Sequence, residues 1–82
     1  MQGLYVVKDA PAQQFGPPMT ARTEMAASRI FIQMIIQGKL QQADYELYSI
    51  GTYDEETGEA KTHAPVFVVP TYKRDASLEE VM

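Results

Sequence analysis

The sequence predicts an α+β fold in which a four-stranded antiparallel sheet packs on one long helix, as part of an oligomer. Three observations lead to this prediction. Residues 23–39 carry apolar side chains at helical spacing. Segments rich in β-branched and aromatic residues lie on both sides of this stretch. An acidic turn that ends in glycine joins the last two of these segments, as in a hairpin. The predicted order is therefore strand, strand, helix, strand, strand.

The helix is predicted over residues 23–39. Thr23 is a suitable N-cap, because its side-chain oxygen can accept a hydrogen bond from a free N–H group of the first turn. Glu24 places an acid at the positive end of the helix dipole. Gly38 is expected to end the helix in the left-handed conformation that glycine accepts.

The apolar residues of this helix form two stripes. The first stripe is expected to face the sheet and contains Ala27, Ile30, Phe31, Met34 and Ile35. The second stripe contains Met25, Ile32 and Ile36. A single buried face does not usually span both stripes. The second stripe is therefore predicted to be the interface of a homodimer or a higher oligomer.

The first two strands are predicted on the N-terminal side of the helix. Residues 4–8 form a short β-rich run. Residues 9–14 are typical of a loop, and residues 15–18 form a turn with an aromatic anchor, where the two prolines allow only an edge strand or a strand entry. Residues 19–22 are expected to extend and pair back onto the first strand.

The last two strands are predicted after the helix, at residues 44–53 and 65–72. In the first of them the apolar positions change parity between Leu47 and Tyr48, so either both faces are covered or a bulge lies there. Pro65 and Pro70 bracket the centre of the second and favour an edge position. Residues 1–72 are predicted to be one domain, and residues 73–82 a frayed, charged tail.

Composition excludes several classes of function. The chain has 82 residues and no cysteine, which leaves no disulfide, thiolate metal site or cysteine nucleophile. This composition fits a reducing cytoplasm. No apolar run approaches the roughly 20 residues that span a bilayer, and no signal peptide is expected.

Charge is distributed unevenly along the chain. The net charge is −4. Residues 1–43 hold four basic groups and two acids, whereas residues 44–82 hold three basic groups and nine acids. An acidic total argues against strong nonspecific nucleic-acid binding, but the basic N-terminal half weakens that argument.

The residues alone name no function, but they argue against an enzyme, and no catalytic residue, cofactor or metal is expected. His63 is the only histidine, so a triad or a histidine metal pair cannot be built, and it is expected to be a solvated residue. The acids around residues 54–59 could bind a hard cation. However, their spacing differs from a calcium loop, and such residues are common in turns.

The tyrosines and the scattered cations are the remaining candidates for function. Tyrosine on an open sheet face can stack on bases, but it is equally common in a core edge or a dimer interface. From the residues alone, the structural role of the tyrosines is favoured. A cation such as Arg29 is usually only a solvated charge. The candidate nucleic-acid-binding residues are Lys8, Arg22, Arg29, Lys39, Tyr5, Tyr48 and Tyr53.

The segment DYELYSIGTYDEETG at residues 44–58 resembles the signature of the small nonstructural proteins of gokushovirus-type microviruses, which are single-stranded DNA phages. The Phe-Gly-Pro-Pro segment at residues 15–18 fits the same family. So do Ala27, Arg29 and Phe31 at the start of the helix. The resemblance covers about residues 4–69 and is most specific at the strand and turn.

This resemblance implies a protein that is made in the cytoplasm of the infected bacterium and is not built into the mature virion. Such proteins are described as DNA-binding, with a role in the switch from duplex replication to single-stranded genome synthesis and packaging. The resulting hypothesis is a phage nonstructural protein that binds single-stranded DNA. The alternative is an oligomeric factor that acts on the phage replication initiator or the assembling capsid without contacting DNA. A purely structural oligomer is a third reading.

Overall fold

The structure is a computed structural model that describes residues 1–70. The predictions for residues 71–82, namely the end of the last strand and the charged tail, lie outside the described residues. In chain order the elements are β1 (Gln2–Asp9), β2 (Gln14–Phe15), β3 (Met19–Ala21), α1 (Glu24–Gln37), a short 3₁₀ turn (Gln42–Asp44), β4 (Tyr45–Tyr53) and β5 (Ala60–Val68).

The described residues form an α+β fold with an antiparallel sheet of five strands instead of the four predicted. The main path of the sheet is β2-β1-β4-β5, and β3 also pairs with β1. The chain order is therefore three strands, a helix and two strands. The difference arises before the helix, because the segment predicted as a loop and a turn contributes a short strand of its own.

β2 and β3 share one edge of β1. β2 pairs with Lys8 and Asp9, whereas β3 pairs with residues 3–5, and the opposite edge of β1 is taken by β4. The Gly-Pro-Pro segment at residues 16–18 separates the two short strands. Proline has no N–H group to donate to a ladder, so the edge strand is interrupted where the two prolines occur.

Thr23 caps α1 as predicted, and its Oγ1 accepts a hydrogen bond from the N–H group of Ala26 at 3.1 Å. The C-terminus differs from the prediction. Gly38 has helical dihedral angles, and Lys39 is the left-handed residue, with φ of 52°. The N–H groups of Leu40 and Lys39 donate to the carbonyl oxygens of Ile35 and Ile36. This is the Schellman pattern of hydrogen bonds, one residue later than expected.

One stripe of α1 faces the sheet. Ala27, Phe31 and Ile35 are buried, as predicted, together with Ser28. Ile30 was predicted to be in this stripe but is 44% exposed, because it lies on the flank of the helix rather than over the sheet. The buried core cluster consists of Tyr5, Ala21, Ala27, Phe31, Ile35, Leu47 and Val68.

The irregularity in β4 lies at Ile50 rather than between Leu47 and Tyr48. Leu4 pairs with Gly51 and Tyr5 pairs with Ser49, so Ile50 is an extra residue on β4. Leu47 is fully buried against the helix and Tyr48 is half-buried on the other face. The change of apolar parity therefore reflects a strand with side chains covered on both faces.

The β4–β5 hairpin closes as predicted around Gly58, which has φ of 77° and donates its N–H to the carbonyl oxygen of Asp54. The return strand, however, is residues 60–68 instead of the predicted 65–72. Pro65 is inside the strand, in the stretch where pairing jumps from Ser49–Val66 to Gly51–Thr62. Because pairing with β4 is interrupted there, the missing N–H of proline removes no regular ladder bond.

Candidate functional site

The two faces of the sheet differ in what covers them. Side chains alternate along a strand, and directly paired residues share a face. The pairs Val7–Leu47 and Asp9–Tyr45 place Leu47 and Tyr45 on the face that packs on α1. The opposite face is called here the open face, since α1 packs on the other side. It carries Leu4, Val6, Lys8, Phe15, Glu46, Tyr48, Tyr53 and Phe67.

Three aromatic rings form a continuous row on the open face. The ring centroids of Phe15 and Tyr48 are 5.5 Å apart, and those of Tyr48 and Phe67 are 5.7 Å apart. Both pairs meet edge to face, the arrangement that the quadrupoles of aromatic rings favour. Phe15 is 48% exposed and Phe67 is 51% exposed. These three residues, the aromatic row, therefore present ring surface to solvent across the sheet.

Strand pairing explains how the aromatic row is assembled. Phe15 on β2 is paired with Lys8, and Tyr48 on β4 is paired with both Val6 and Phe67. Phe15 and Tyr48 thus come from strands on either side of β1, and their rings meet over it. Val6 is only 5% exposed although it is on the open face. We attribute its burial to the neighbouring rings.

In the described part of the chain, two charged groups border the aromatic row. The Lys8 ammonium lies 5.4 Å from the centroid of the Phe15 ring, within the range of a cation–π contact. The Tyr48 hydroxyl donates a hydrogen bond to Oε1 of Glu46 at 3.0 Å. That hydrogen bond raises the pKa of Tyr48, with smaller contributions from burial and from the Glu46 charge. The row thus has one cation at the Phe15 end and one carboxylate beside Tyr48.

The predicted tyrosines are not equivalent in the structure. Tyr5 is 5% exposed, belongs to the core cluster and lies over Gly3, where an added Cβ would be 2.6 Å from its ring. Burial, followed by the charge of Glu24, raises the pKa of Tyr5. Its ring is not available to stack on a base. Tyr53 is half-buried and lies on the open face, paired with Gln2 at the other end of β1 from Lys8.

The predicted cations do not meet at one place. Lys8 borders the aromatic row on the open face. Arg29 is an exposed residue of α1, and Lys39 follows the C-terminus of that helix, which packs on the opposite face. Arg22 is exposed immediately before the N-cap. Of the four, only Lys8 is placed with the aromatic side chains.

The predicted oligomer interface on α1 is largely exposed in the single chain. Met25 is 55% exposed and Ile36 is 47% exposed, whereas Ile32 is half-buried and packs against the core. These residues form one flank of the helix. Its role as an interface stays a prediction.

Sequence reasoning missed Phe15 as a candidate site residue and did not commit to Phe67. Phe15 was interpreted only as the anchor of a turn. The sequence did contain a signal for an exposed Phe15, because Phe15 directly precedes Gly-Pro-Pro. The prolines restrict this segment to a sheet edge, where side chains are more exposed. Phe67 could be found only from its register with Tyr48, which depends on where β5 begins.

A family model described as phage ORF5 protein matches residues 2–74. This chain belongs to the phage ORF5 protein family. The matched range includes every strand and the helix described above, and therefore the residues of both the core and the open face. Searches of curated proteins and of solved structures found no match to this chain.

Two further observations concern residues 1–70 of this ORF5 protein. No helix there has the length and apolar character needed to cross a bilayer. Over the same residues, no three histidine or acidic side chains are grouped so that they could hold a metal ion.

Proposed function

We propose that this phage protein is a non-enzymatic protein that binds single-stranded DNA, with bases stacked on the aromatic row of the open face. The observation that carries the proposal is the row itself, because three adjoining rings are half-exposed on a sheet face that α1 leaves open. Aromatic side chains on sheets are a common platform for unpaired bases, since every base has a π face.

The charges of the site favour stacking over phosphate binding as the main source of affinity. Among residues 1–70, Lys8 is the one cation found beside the row, and Glu46 is directly paired with it. A phosphate on the Lys8 side would be attracted, whereas one near Glu46 would be repelled. Duplex DNA hides its base faces and offers mainly phosphates. The site therefore prefers the single strand.

The resemblance to microvirus nonstructural proteins gives this activity a place in the phage cycle. A protein that covers exposed bases would hold newly made single strands away from conversion to duplex. This supports a role in the switch from duplex replication to single-stranded genome synthesis and packaging, in the cytoplasm of the infected bacterium. The protein would act there without entering the mature virion.

The test is fluorescence anisotropy of a labelled single-stranded oligonucleotide, with a duplex of equal length as comparison. Replacing Phe67 or Phe15 by alanine should each lower the affinity by about tenfold, since one stacked base contributes about 1–3 kcal/mol. Met25→Ala is the matched control, because it removes a similarly exposed apolar side chain from the helix. Equal affinities for all three variants and the unaltered protein would rule out the aromatic row as the binding site.

Salt dependence gives a second readout of the same proposal. If Lys8 is the main phosphate contact, the slope of log affinity against log salt should be about −0.7, the value for one phosphate on a single strand. Lys8→Gln should flatten that slope, and Lys39→Gln, on the other side of the molecule, should leave it unchanged. A steep slope abolished by Lys39→Gln would place the DNA on the helix side instead.

A second candidate function is favoured by the acidic tip of the β4–β5 hairpin. Asp54, Glu55, Glu56 and Glu59 lie within six residues of one another. One of them, Glu55, is paired with the N-terminal ammonium at 3.1 Å. Such a tip repels DNA and could bind a basic surface of the phage replication initiator or of a capsid protein. Binding of a purified initiator or capsid protein that survives nuclease and is lost on Glu55→Gln with Glu56→Gln would favour this alternative.

A further inference from the structure

The outer edge of β5 is open in the described part of the chain. β5 pairs with β4 on one side, and residues 1–70 supply no strand for its other side. Eight of its nine residues are exposed, and only Val68 is buried. An open edge presents unpaired N–H and C=O groups, and natural proteins usually protect such an edge with charges or with a covering element.

The end of this edge is apolar on both faces. Val66 is 56% exposed, Phe67 is 51% exposed and Val69, just past the strand, is 61% exposed. Val66 and Phe67 are paired with neighbouring residues of β4 and therefore point to opposite faces. From Ala64 to Pro70 there is no charged residue. The segment thus lacks protecting charges, and although Pro65 and Pro70 each remove one N–H donor, the residues between them keep theirs for another strand.

We propose that two copies of this protein pair through residues 64–70, the end of β5 and the two residues after it, antiparallel and related by a two-fold axis at Phe67. The two sheets then become one continuous sheet. Because such an axis is perpendicular to the sheet, both open faces lie on the same side. Phe67 of each copy stands opposite its counterpart, at about 4.5–5.5 Å between Cα atoms. The two aromatic rows become one row of six rings.

The segment is self-complementary, which favours a second copy as the occupant: pairing about Phe67 sets every residue from 64 to 70 opposite another uncharged, apolar residue. The protein has a net charge of −4, so two copies carry a net repulsion. The uncharged segment is where they can approach with least repulsion. Antiparallel pairing also places the two acidic hairpin tips, at residues 54–59, at opposite ends of the joined strands. This arrangement keeps the strongest like charges apart.

The joined row rests on the proposed DNA-binding function, whereas the dimer itself does not. A row of six rings would bind a longer single strand than one copy can. Two linked sites raise apparent affinity by making the second contact intramolecular. The proposed dimer interface at residues 64–70 differs from the interface predicted on α1. Substitutions at each surface distinguish the two.

The test begins with the mass in solution, measured by sedimentation equilibrium at micromolar concentration. The expected mass is twice the 9.2 kDa of one chain. Val66→Lys places a charge on the outer edge of β5 and should give monomers. Its circular dichroism spectrum should be unchanged, which would show that the variant still folds. Met25→Lys, an equally exposed site on α1, should leave the dimer intact. A single-chain mass for the unaltered protein, or a dimer lost only in Met25→Lys, would overturn the proposal.

Cross-linking tests the register and does not depend on how Val66→Lys folds. The chain has no cysteine, so a substituted cysteine has no other partner. Phe67→Cys should form an intermolecular disulfide under mild oxidation, because Cα atoms paired across the axis fall within the range a disulfide spans. Met25→Cys should not. Equal cross-linking of the two variants would contradict the proposed axis.

Two further outcomes separate the possible occupants and the two proposals. If the full chain is monomeric but a chain that ends at Pro70 dimerises, residues 71–82 occupy the outer edge of β5 and the proposal fails. If Val66→Lys is single and binds single-stranded DNA at least about tenfold more weakly, both proposals stand. A dimer that binds no DNA would retain this interface and reject the proposed function. If the unaltered protein is monomeric and still binds DNA, the proposed function is retained and the proposed interface is rejected.

Discussion

The backbone of Lys61 occupies the space that a side chain on Gly51 would need. A Cβ built on Gly51 would collide with the Lys61 carbonyl oxygen, and it would lie 2.8 Å from the Cα atom of Thr62. Gly51 also has φ of +153°, which residues with a side chain rarely adopt. β4 and β5 therefore approach each other closely just beyond the bulge at Ile50. On the other side of this bulge, the same two strands pair Tyr48 with Phe67.

Gly51→Ala is expected to lower the free energy of unfolding by about 2 kcal/mol or more, because the close contact and the backbone strain act together. Denaturant unfolding followed by circular dichroism measures this. Gly58→Ala is the matched control, since Gly58 also has positive φ but has open space where its Cβ would stand. It should cost about 1 kcal/mol. Equal costs at the two positions would mean that β5 is not held this close to β4.

Ser28→Ala is expected to stabilise the protein by about 1 kcal/mol. The Ser28 side chain is fully buried on the sheet-facing side of α1, and its hydroxyl oxygen has no hydrogen-bond partner among the described residues. Removing an unsatisfied buried hydroxyl relieves its desolvation penalty, and alanine favours the helix more than serine does. Thermal and denaturant unfolding would show the change. A loss of stability would indicate that the hydroxyl has a partner in solution.

The hydrogen bond between Tyr48 and Glu46 is expected to make the open face sensitive to alkaline pH. The folded-state pKa of Tyr48 is raised above its ordinary value of 10.0, so its stabilising contribution is present below that value. The contribution is lost as pH rises through the folded-state pKa. Glu46→Gln should lower the pKa of Tyr48, as followed by NMR of the ring resonances. Tyr5 is an internal control, because its raised pKa comes mainly from burial and should not respond to this substitution.

Local chemistry determined the elements whose cause lies in neighbouring residues. The Thr23 cap, the buried spacing of Ala27, Phe31 and Ile35, and the turn at Gly58 were all predicted. Each depends on side chains or dihedral angles within a few residues, so the sequence contains the information needed. The end of α1 was displaced by one residue, since Lys39 adopts the left-handed conformation that glycine was expected to take.

Only tertiary pairing decided which side chains share a surface. β5 begins at Ala60 because it must close the hairpin directly opposite Tyr53, although its apolar residues come later. Tyr5 is buried and Tyr48 is on the open face, yet both are tyrosines in strands with similar neighbours. Their difference follows from strand register, and a shift of one residue would reverse it. The sequence by itself determined an α+β domain with a capped amphipathic helix. The aromatic row was decided by the fold, because its three members come from three strands that only long-range hydrogen bonding brings together.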